Sequence, residues 1–183
     1  MIALNTVLIL LAAFLGAFWP SAFQGIYRLL GAQIDLLPAL IVYASLSSGL
    51  PTITLTALLG GLFVDSLSAN PLGVSVLPLL IVGLVFYSKR DLILRDQLFA
   101  QCVLGFIASA VVPALTVLLI LTKGHSPLLG WGSLWQWTVM SAAGAVATPV
   151  WFGLFGLFGR ALNYSRSAET TFRPDREIRR GRR

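Results

Sequence analysis

Long stretches without a charged residue make up most of the chain. Five such runs cover residues 1 to 27, 36 to 64, 66 to 88, 97 to 122 and 124 to 159. Each is longer than the roughly 20 residues that a helix needs to cross the hydrocarbon core of a bilayer. The pattern predicts an all-α integral membrane protein in which four of the runs supply one membrane helix each. In the last run, an HSPLLGWG loop precedes a span that we expect to start near Ser133.

The second run is too long for a single straight membrane helix. At about 1.5 Å per residue it would measure about 43 Å, against a hydrocarbon core of about 30 Å. The SSGLPT segment offers a place to turn, because Gly49 tolerates non-helical dihedrals and Pro51 disfavours helical geometry at Leu50. We predict two short helices, about 36 to 48 and 52 to 64, in a tight hairpin, which gives six transmembrane helices. A kinked single span, giving five, is the alternative.

Basic residues are distributed unevenly between the predicted loops. In the six-helix arrangement, one side holds a short loop with Lys89, Arg90 and Arg95 together with eight arginines from Arg160 onward. The other side holds Arg28 and Lys123. The positive-inside rule therefore places the C-terminus in the cytoplasm and Asp65 near the outer face. The five-helix arrangement fits about as well, since only Arg28 and the N-terminus change sides.

The domain organisation follows from the same charges. We expect a polytopic transmembrane domain at residues 1 to 159 and a basic cytoplasmic tail at residues 160 to 183. The simplest role of the tail is contact with anionic lipid headgroups. Nucleic acid is not an expected partner, because no folded domain accompanies the charge.

Composition and reactive side chains argue against an enzyme. The chain is 57% hydrophobic and 11% charged, whereas soluble domains average about 25% charged residues. Its one histidine, His125, has no acidic residue nearby in sequence to orient it, and Cys102 is its one cysteine. We therefore expect no catalytic residues, no metal site and no cofactor.

Two acidic residues, Asp35 and Asp65, border the apolar runs outside the predicted cytoplasmic segments. Asp65 opens the stretch DSLSANPLG, in which its side chain and those of the serines and Asn70 can cap or terminate helices. Pro71 suits the first position of the next helix. The functional alternative is that this turn forms the mouth of a polar pocket or a contact for the extracytoplasmic part of a partner.

Small residues recur at four-residue spacing and permit close helix contact. They serve either packing within this chain or contact with a transmembrane helix of another protein. A related series at three-residue spacing lies in the last run. The residues concerned are Ala12 with Gly16, Ala13 with Ala17, Ala57 with Gly61, Ser141 with Ala145, and the series Gly153, Gly156 and Gly159.

The segments IDLLPALIVYASLSSGLP and ALLGGLFVDSLSANPLG together resemble the rod shape-determining protein MreD family. That family typically has an Asp-Leu-Leu helix start, a small turn, and a glycine-containing helix that ends in Asp. A small polar linker and Pro-Leu-Gly follow. The similarity covers residues 35 to 90 in motif, and the whole chain in length, span count and basic tail. The linker departs from the family pattern, because Ser68, Ala69 and Asn70 stand where the family often has Ser-Gly before a small residue.

The resemblance implies a non-catalytic scaffold of the bacterial cell-elongation complex in the cytoplasmic membrane. Its expected partners are the single-span protein MreC, the glycosyltransferase RodA with its penicillin-binding transpeptidase, and the actin-like MreB. The fold of the family is similar to that of the six-helix S components of energy-coupling-factor transporters, which favours six spans. It also supplies the rival function, a small-molecule-binding S component. The candidate partner-binding or structural residues are Asp35, Pro38, Asp65, Asn70, Pro71 and Gly73.

Overall fold

The computed structural model describes residues 2 to 22, 31 to 68, 71 to 93, 97 to 122 and 130 to 170. These residues form six helices and no strand. The helices are α1 (Ile2–Ala22), α2 (Leu37–Ser47), α3 (Leu50–Leu67), α4 (Val76–Lys89), α5 (Leu98–Thr122) and α6 (Trp131–Thr170).

The hairpin predicted in the second apolar run is confirmed, with its break at Ser48 and Gly49. Gly49 is extended, with φ −89° and ψ 167°, and Pro51 lies in the first turn of α3. The expectation that Leu50 is non-helical was wrong, because a proline in the first helical turn has no intrahelical hydrogen bond to lose. Helix α3 therefore starts two residues earlier than predicted, and it continues to Leu67.

Side-chain contacts show that α2 and α3 are antiparallel neighbours. Leu37, at the start of α2, packs against Gly60 near the end of α3, so that a Cβ at Gly60 would lie 3.1 Å from Leu37 Cδ2. The opposite ends of the two helices meet at the turn. The run therefore folds back on itself, as the six-helix arrangement requires.

Helix α2 forms the centre of the bundle. It contacts α1, α3, α4 and α5, and each residue from Leu37 to Leu46 is buried. Its 11 residues span only about 16 Å at about 1.5 Å per residue. An apolar sequence on all sides suits such a helix, because every face packs against another helix.

The helices alternate in direction. Helix α1 runs parallel to α3, with Thr6 Oγ1 2.9 Å from Thr52 Oγ1 and the Phe14 and Phe63 rings 5.3 Å apart. Helix α4 runs antiparallel to α3, since Gly61 meets the start of α4 while Ile53 meets Gly83 further along it.

The first part of α6 is antiparallel to α5. The Trp137 indole Nε1–H donates to the Ala110 carbonyl at 2.9 Å, and Gly144 lies against Gly105.

Because α2 and α4 both run antiparallel to α3, Asp35 and Asp65 lie at one end of the bundle, which we call the Asp65 end. Lys89 and Arg90 lie at the opposite end, the Lys89 end.

Three helical segments are long and apolar enough to cross a membrane: Leu50–Leu67, Leu98–Thr122 and Trp131–Arg160. The surface of the bundle is apolar as well. On α1, for example, six large apolar side chains face outward: Leu4, Val7, Leu11, Phe14, Leu15 and Phe18. A surface of this kind suits lipid, since soluble monomers rarely expose apolar patches larger than a few hundred Å².

The chain divides into two compact units, Met1–Trp151 and Phe152–Arg183, with the division inside α6. In the second unit, helix continues through Arg160 to Thr170. Residues 171 to 183 of the predicted basic tail lie outside the described residues.

Candidate functional site

Asp65 lies in the last turn of α3 and is almost completely buried, with 1% of its surface exposed. The helix ends just beyond it because Ser68 turns to an extended conformation, φ −107° and ψ 167°. The Ser68 backbone N–H still donates to the Val64 carbonyl at 2.9 Å. The chain therefore leaves α3 directly beside the Asp65 carboxylate.

The Asp65 carboxylate joins the end of α3 to the beginning of α4. Its Oδ2 accepts hydrogen bonds from the Gly73 N–H at 2.8 Å and from the Ser75 N–H at 3.1 Å. Ser75 is the N-cap of α4, and its side chain makes no capping hydrogen bond. The carboxylate of Asp65 therefore binds backbone donors at the α4 N-terminus, where a negative charge is also favourable to the helix dipole.

The other carboxylate oxygen of Asp65 is different. Asp65 Oδ1 is buried and has no hydrogen-bond partner among the described residues. Buried polar atoms without partners are uncommon in proteins. One oxygen of the carboxylate, Oδ2, thus accepts two hydrogen bonds, while Oδ1 accepts none among the described residues.

Gly73 has a backbone conformation that other residues rarely adopt, with φ +88°. A side chain there would be strained, although no atom lies within 4 Å of the position that its Cβ would occupy. The Gly73 constraint is therefore one of backbone conformation, and crowding plays no part in it.

The predicted role of Pro71 at the start of the next helix was wrong. Its carbonyl instead accepts a hydrogen bond from the Val74 N–H at 3.3 Å in a turn, and α4 begins at Val76. The positive φ of Gly73 explains the later start, because a right-handed helix cannot pass through that residue. Asn70 lies outside the described residues.

Close helix contact adds to the hydrogen bonds of this turn. A Cβ added at Gly61 of α3 would lie 2.8 Å from Val76 Cα at the start of α4. The backbones of the two helices therefore approach within a distance that only glycine permits at this position. We call Asp65, Gly73, Ser75 and Gly61 together the Asp65 turn.

Asp35 makes a separate capping contact at the start of α2. Its Oδ1 accepts a hydrogen bond from the Leu37 N–H at 2.9 Å. Burial raises the pKa of the Asp35 carboxyl to about 6, and this hydrogen bond opposes the shift. Pro38 lies in the first turn of α2, fully buried. The carboxylate of Asp35 therefore binds the backbone N–H of the first residue of α2.

The structure thus brings some of the candidates together and leaves others apart. Asp65 and Gly73 are hydrogen-bonded to each other, whereas Asp35 and Pro38 form their own group at the same end of the bundle. Sequence reasoning missed Ser75 as a partner of Asp65. No motif marks it, because Ser75 contributes its backbone N–H, which every residue except proline has.

The small residues on α1 and α3 pack within this chain. Ala12, Ala13, Gly16, Ala17, Ala57 and Gly61 are all buried. A partner helix therefore has no access to these residues in the described bundle. The three glycines on α6, Gly153, Gly156 and Gly159, have open space where a Cβ would be.

Sequence reasoning also missed the closest helix crossing, between α5 and α6. A Cβ at Gly144 would overlap the side chain of Ser109, and a Cβ at Gly105 would overlap that of Thr148. The sequence signal was present, since Gly105 with Ser109 and Gly144 with Thr148 both have the four-residue spacing of small residues.

Comparisons with known proteins add no identification: no family model matches the chain, and neither the curated proteins nor the solved structures include a match.

Proposed function

We propose that the chain is a non-catalytic membrane scaffold of the MreD type in the bacterial cell-elongation complex. In this proposal it lies in the cytoplasmic membrane as six spans with a cytoplasmic C-terminus. It binds MreC and couples RodA, its penicillin-binding transpeptidase and MreB to the synthesis of the cell wall. We also propose that its fold is similar to that of the six-helix S components of energy-coupling-factor transporters.

The observation that supports this proposal best is the hydrogen bond between Asp65 and Gly73. Both residues belong to the motif that carries the resemblance, and the carboxylate holds the glycine N–H at 2.8 Å. The motif therefore corresponds to a structural unit with a specific shape, and not only to a similarity of composition.

The hydrogen bonds of this unit suit a binding role. Asp65 contacts backbone amides, and its hydrogen bonds fix the path of the chain between two helices. A turn fixed in this way presents a constant surface to a partner, which lowers the entropic cost of binding.

Two apolar side chains are exposed at this turn. Leu72, between Pro71 and Gly73, has 69% of its surface exposed, and Leu67 at the end of α3 has 43%. In our proposal these side chains lie near the outer membrane surface and contact the membrane-proximal part of the partner.

The direct test is purification of the tagged protein from its native membrane in mild detergent, followed by mass spectrometry of the retained proteins. The proposal predicts recovery of MreC and the elongation enzymes. Recovery of a transporter ATPase module, or of a stoichiometric small molecule without those proteins, would instead assign the chain to solute uptake.

A further inference from the structure

The Lys89 end of the bundle carries exposed basic side chains and exposed apolar ones. Lys89 ends α4 and is exposed, and the side chain of the following Arg90 is 43% exposed. Leu92 is 80% exposed, and Phe99, in the first turn of α5, is 79% exposed. We call these four residues and Tyr87 the Lys89 patch.

The basic residues of the patch are held in an ordered turn. The Leu92 N–H donates to the Lys89 carbonyl at 3.0 Å, and the Ile93 N–H donates to the Arg90 carbonyl at 3.3 Å. The Arg90 guanidinium lies over the Tyr87 ring, with its Cζ 4.5 Å from the ring centroid. This cation–π contact orients the guanidinium through its face and leaves the N–H groups at its edge available as donors.

Asp91, which follows Arg90 in the chain, forms only a weak ion pair with it. Arg90 Nε lies 3.7 Å from Asp91 Oδ1, and the Asp91 side chain is 91% exposed. Exposed ion pairs of this kind contribute little and are screened by salt. Arg90 therefore remains free to exchange this partner for a stronger anion such as a phosphate.

We propose that the Lys89 patch binds the headgroup of an anionic phospholipid. Lys89 and Arg90 donate to the lipid phosphate, while Leu92 and Phe99 insert at the boundary between headgroups and acyl chains. Basic residues beside exposed apolar ones are the combination that binds anionic membrane surfaces.

This inference goes beyond the scaffold function and needs only that the chain lies in a membrane with its Lys89 end at one surface. It also differs from lipid contact by the tail, because the Lys89 patch precedes α5. The lipid-binding proposal and the scaffold proposal can be tested separately, because lipid binding is measured on the purified chain without any partner protein.

The test is a titration of the purified full chain in non-ionic detergent with dioctanoyl phosphatidylglycerol, followed by native mass spectrometry. Dioctanoyl phosphatidylcholine and inorganic phosphate are titrated in parallel. We expect phosphatidylglycerol to bind more tightly than either. The Lys89→Gln/Arg90→Gln double variant should bind it at least tenfold more weakly, because each basic residue near a membrane surface contributes about fivefold.

Two further variants separate a specific site from general charge attraction. Arg90→Lys should retain part of the affinity, because it keeps the charge and loses the planar donor group. A tail variant matched in charge, in which Arg182 and Arg183 are replaced by Gln, should lose less affinity for phosphatidylglycerol than the Lys89→Gln/Arg90→Gln variant does. Circular dichroism confirms that each variant is folded, as expected for changes at exposed positions.

Three results would overturn the proposal. The first is that the double variant binds phosphatidylglycerol as tightly as the wild type does. The second is that the double variant and the tail variant lose the same affinity. The third is that phosphatidylcholine binds the wild type as tightly as phosphatidylglycerol does. If the double variant keeps its lipid affinity but loses a co-purifying cytoplasmic protein, the patch is a protein-binding surface and the lipid assignment is wrong.

Discussion

Two antiparallel helix pairs, α3 with α4 and α5 with α6, both pack through glycine but are fixed in different ways. The α3–α4 pair combines the Gly61 contact with two hydrogen bonds that the Asp65 carboxylate accepts from backbone N–H groups at the start of α4. The α5–α6 pair meets in the middle of its helices, where Gly105 and Gly144 lie against Thr148 and Ser109. The first pair is fixed by the Asp65 carboxylate at its end. The second is fixed by close packing in its middle, together with the hydrogen bond from Trp137 to the Ala110 carbonyl.

The difference matters for helices that are long and apolar enough to cross a membrane. Lipid chains are as apolar as leucine, so apolar contact alone gives two helices little reason to prefer each other over lipid. Close backbone approach and hydrogen bonds supply that preference instead. We therefore expect the α5–α6 pair to be sensitive to side-chain volume, and the α3–α4 pair to be sensitive to loss of the Asp65 carboxylate.

The largest effect is expected for Gly144→Leu. The new side chain would overlap Ser109 at the helix crossing, and overpacking of this kind costs about 3 kcal/mol or more where backbone atoms are involved. Thermal unfolding in detergent, followed by circular dichroism, measures the loss. Gly153→Leu is the matched control, because nothing lies within 4 Å of the Cβ position at Gly153. Equal stability of the two variants would contradict the crossing at Gly144.

A smaller loss is expected for Asp65→Ala, about 2 kcal/mol, because two backbone N–H groups at the start of α4 lose their acceptor. Asp65→Asn keeps one acceptor oxygen and should recover part of this loss. Ser66→Ala, one residue further along, is the control, because the exposed Ser66 hydroxyl donates only to the Phe63 carbonyl of its own helix. The same unfolding measurement ranks the three variants, and a neutral Asp65→Ala would show that the carboxylate does not join the two helices.

Gly73→Ala should cost about 1 kcal/mol, because an alanine at φ +88° is strained although space is available. Gly73→Asn should cost less, since asparagine tolerates positive φ better than other non-glycine residues. If alanine and asparagine were equally neutral in thermal unfolding, the turn would have a different conformation from the one described.

Stability should also depend on pH through Asp35. Because its pKa is raised from 3.8 to about 6 in the folded chain, the folded state binds the proton more tightly than the unfolded state does. The contribution of this group to stability is therefore highest below about pH 4 and is lost as the pH rises through about 6. Asp35→Asn should remove this part of the pH dependence, which unfolding measurements between pH 4 and 8 would detect. An unchanged profile would contradict the raised pKa.

The helices and their hairpin were predictable because the apolar runs and the SSGLPT segment are local signals. The capping contact of Asp35 was predictable for the same reason, since its partner, Leu37, is two residues away. The partners of Asp65 were not, because Gly73 and Ser75 contribute backbone N–H groups whose positions depend on the path of the turn. That path also explains why Pro71 does not begin α4, because Gly73, two residues further on, adopts a positive φ.

Two possible roles of the small residues could not be separated from sequence, because spacing alone does not say which helix is the neighbour. The structure assigns those of α1 and α3 to packing within the chain. It also identifies Gly105 and Gly144 as the closest contact, although they belong to different runs far apart in sequence. Contacts of this kind depend on how the helices are arranged, which no local pattern specifies.

The measurement that tests the scaffold function most directly is the amount of MreC retained by Asp65→Ala and by Ser66→Ala, each divided by the amount of folded protein in the same membranes. The account predicts that Asp65→Ala remains inserted and loses most of its MreC, while Ser66→Ala retains the wild-type amount. Wild-type retention by Asp65→Ala would contradict the role of the Asp65 turn in binding. Absence of MreC from the wild-type preparation would contradict the scaffold function itself.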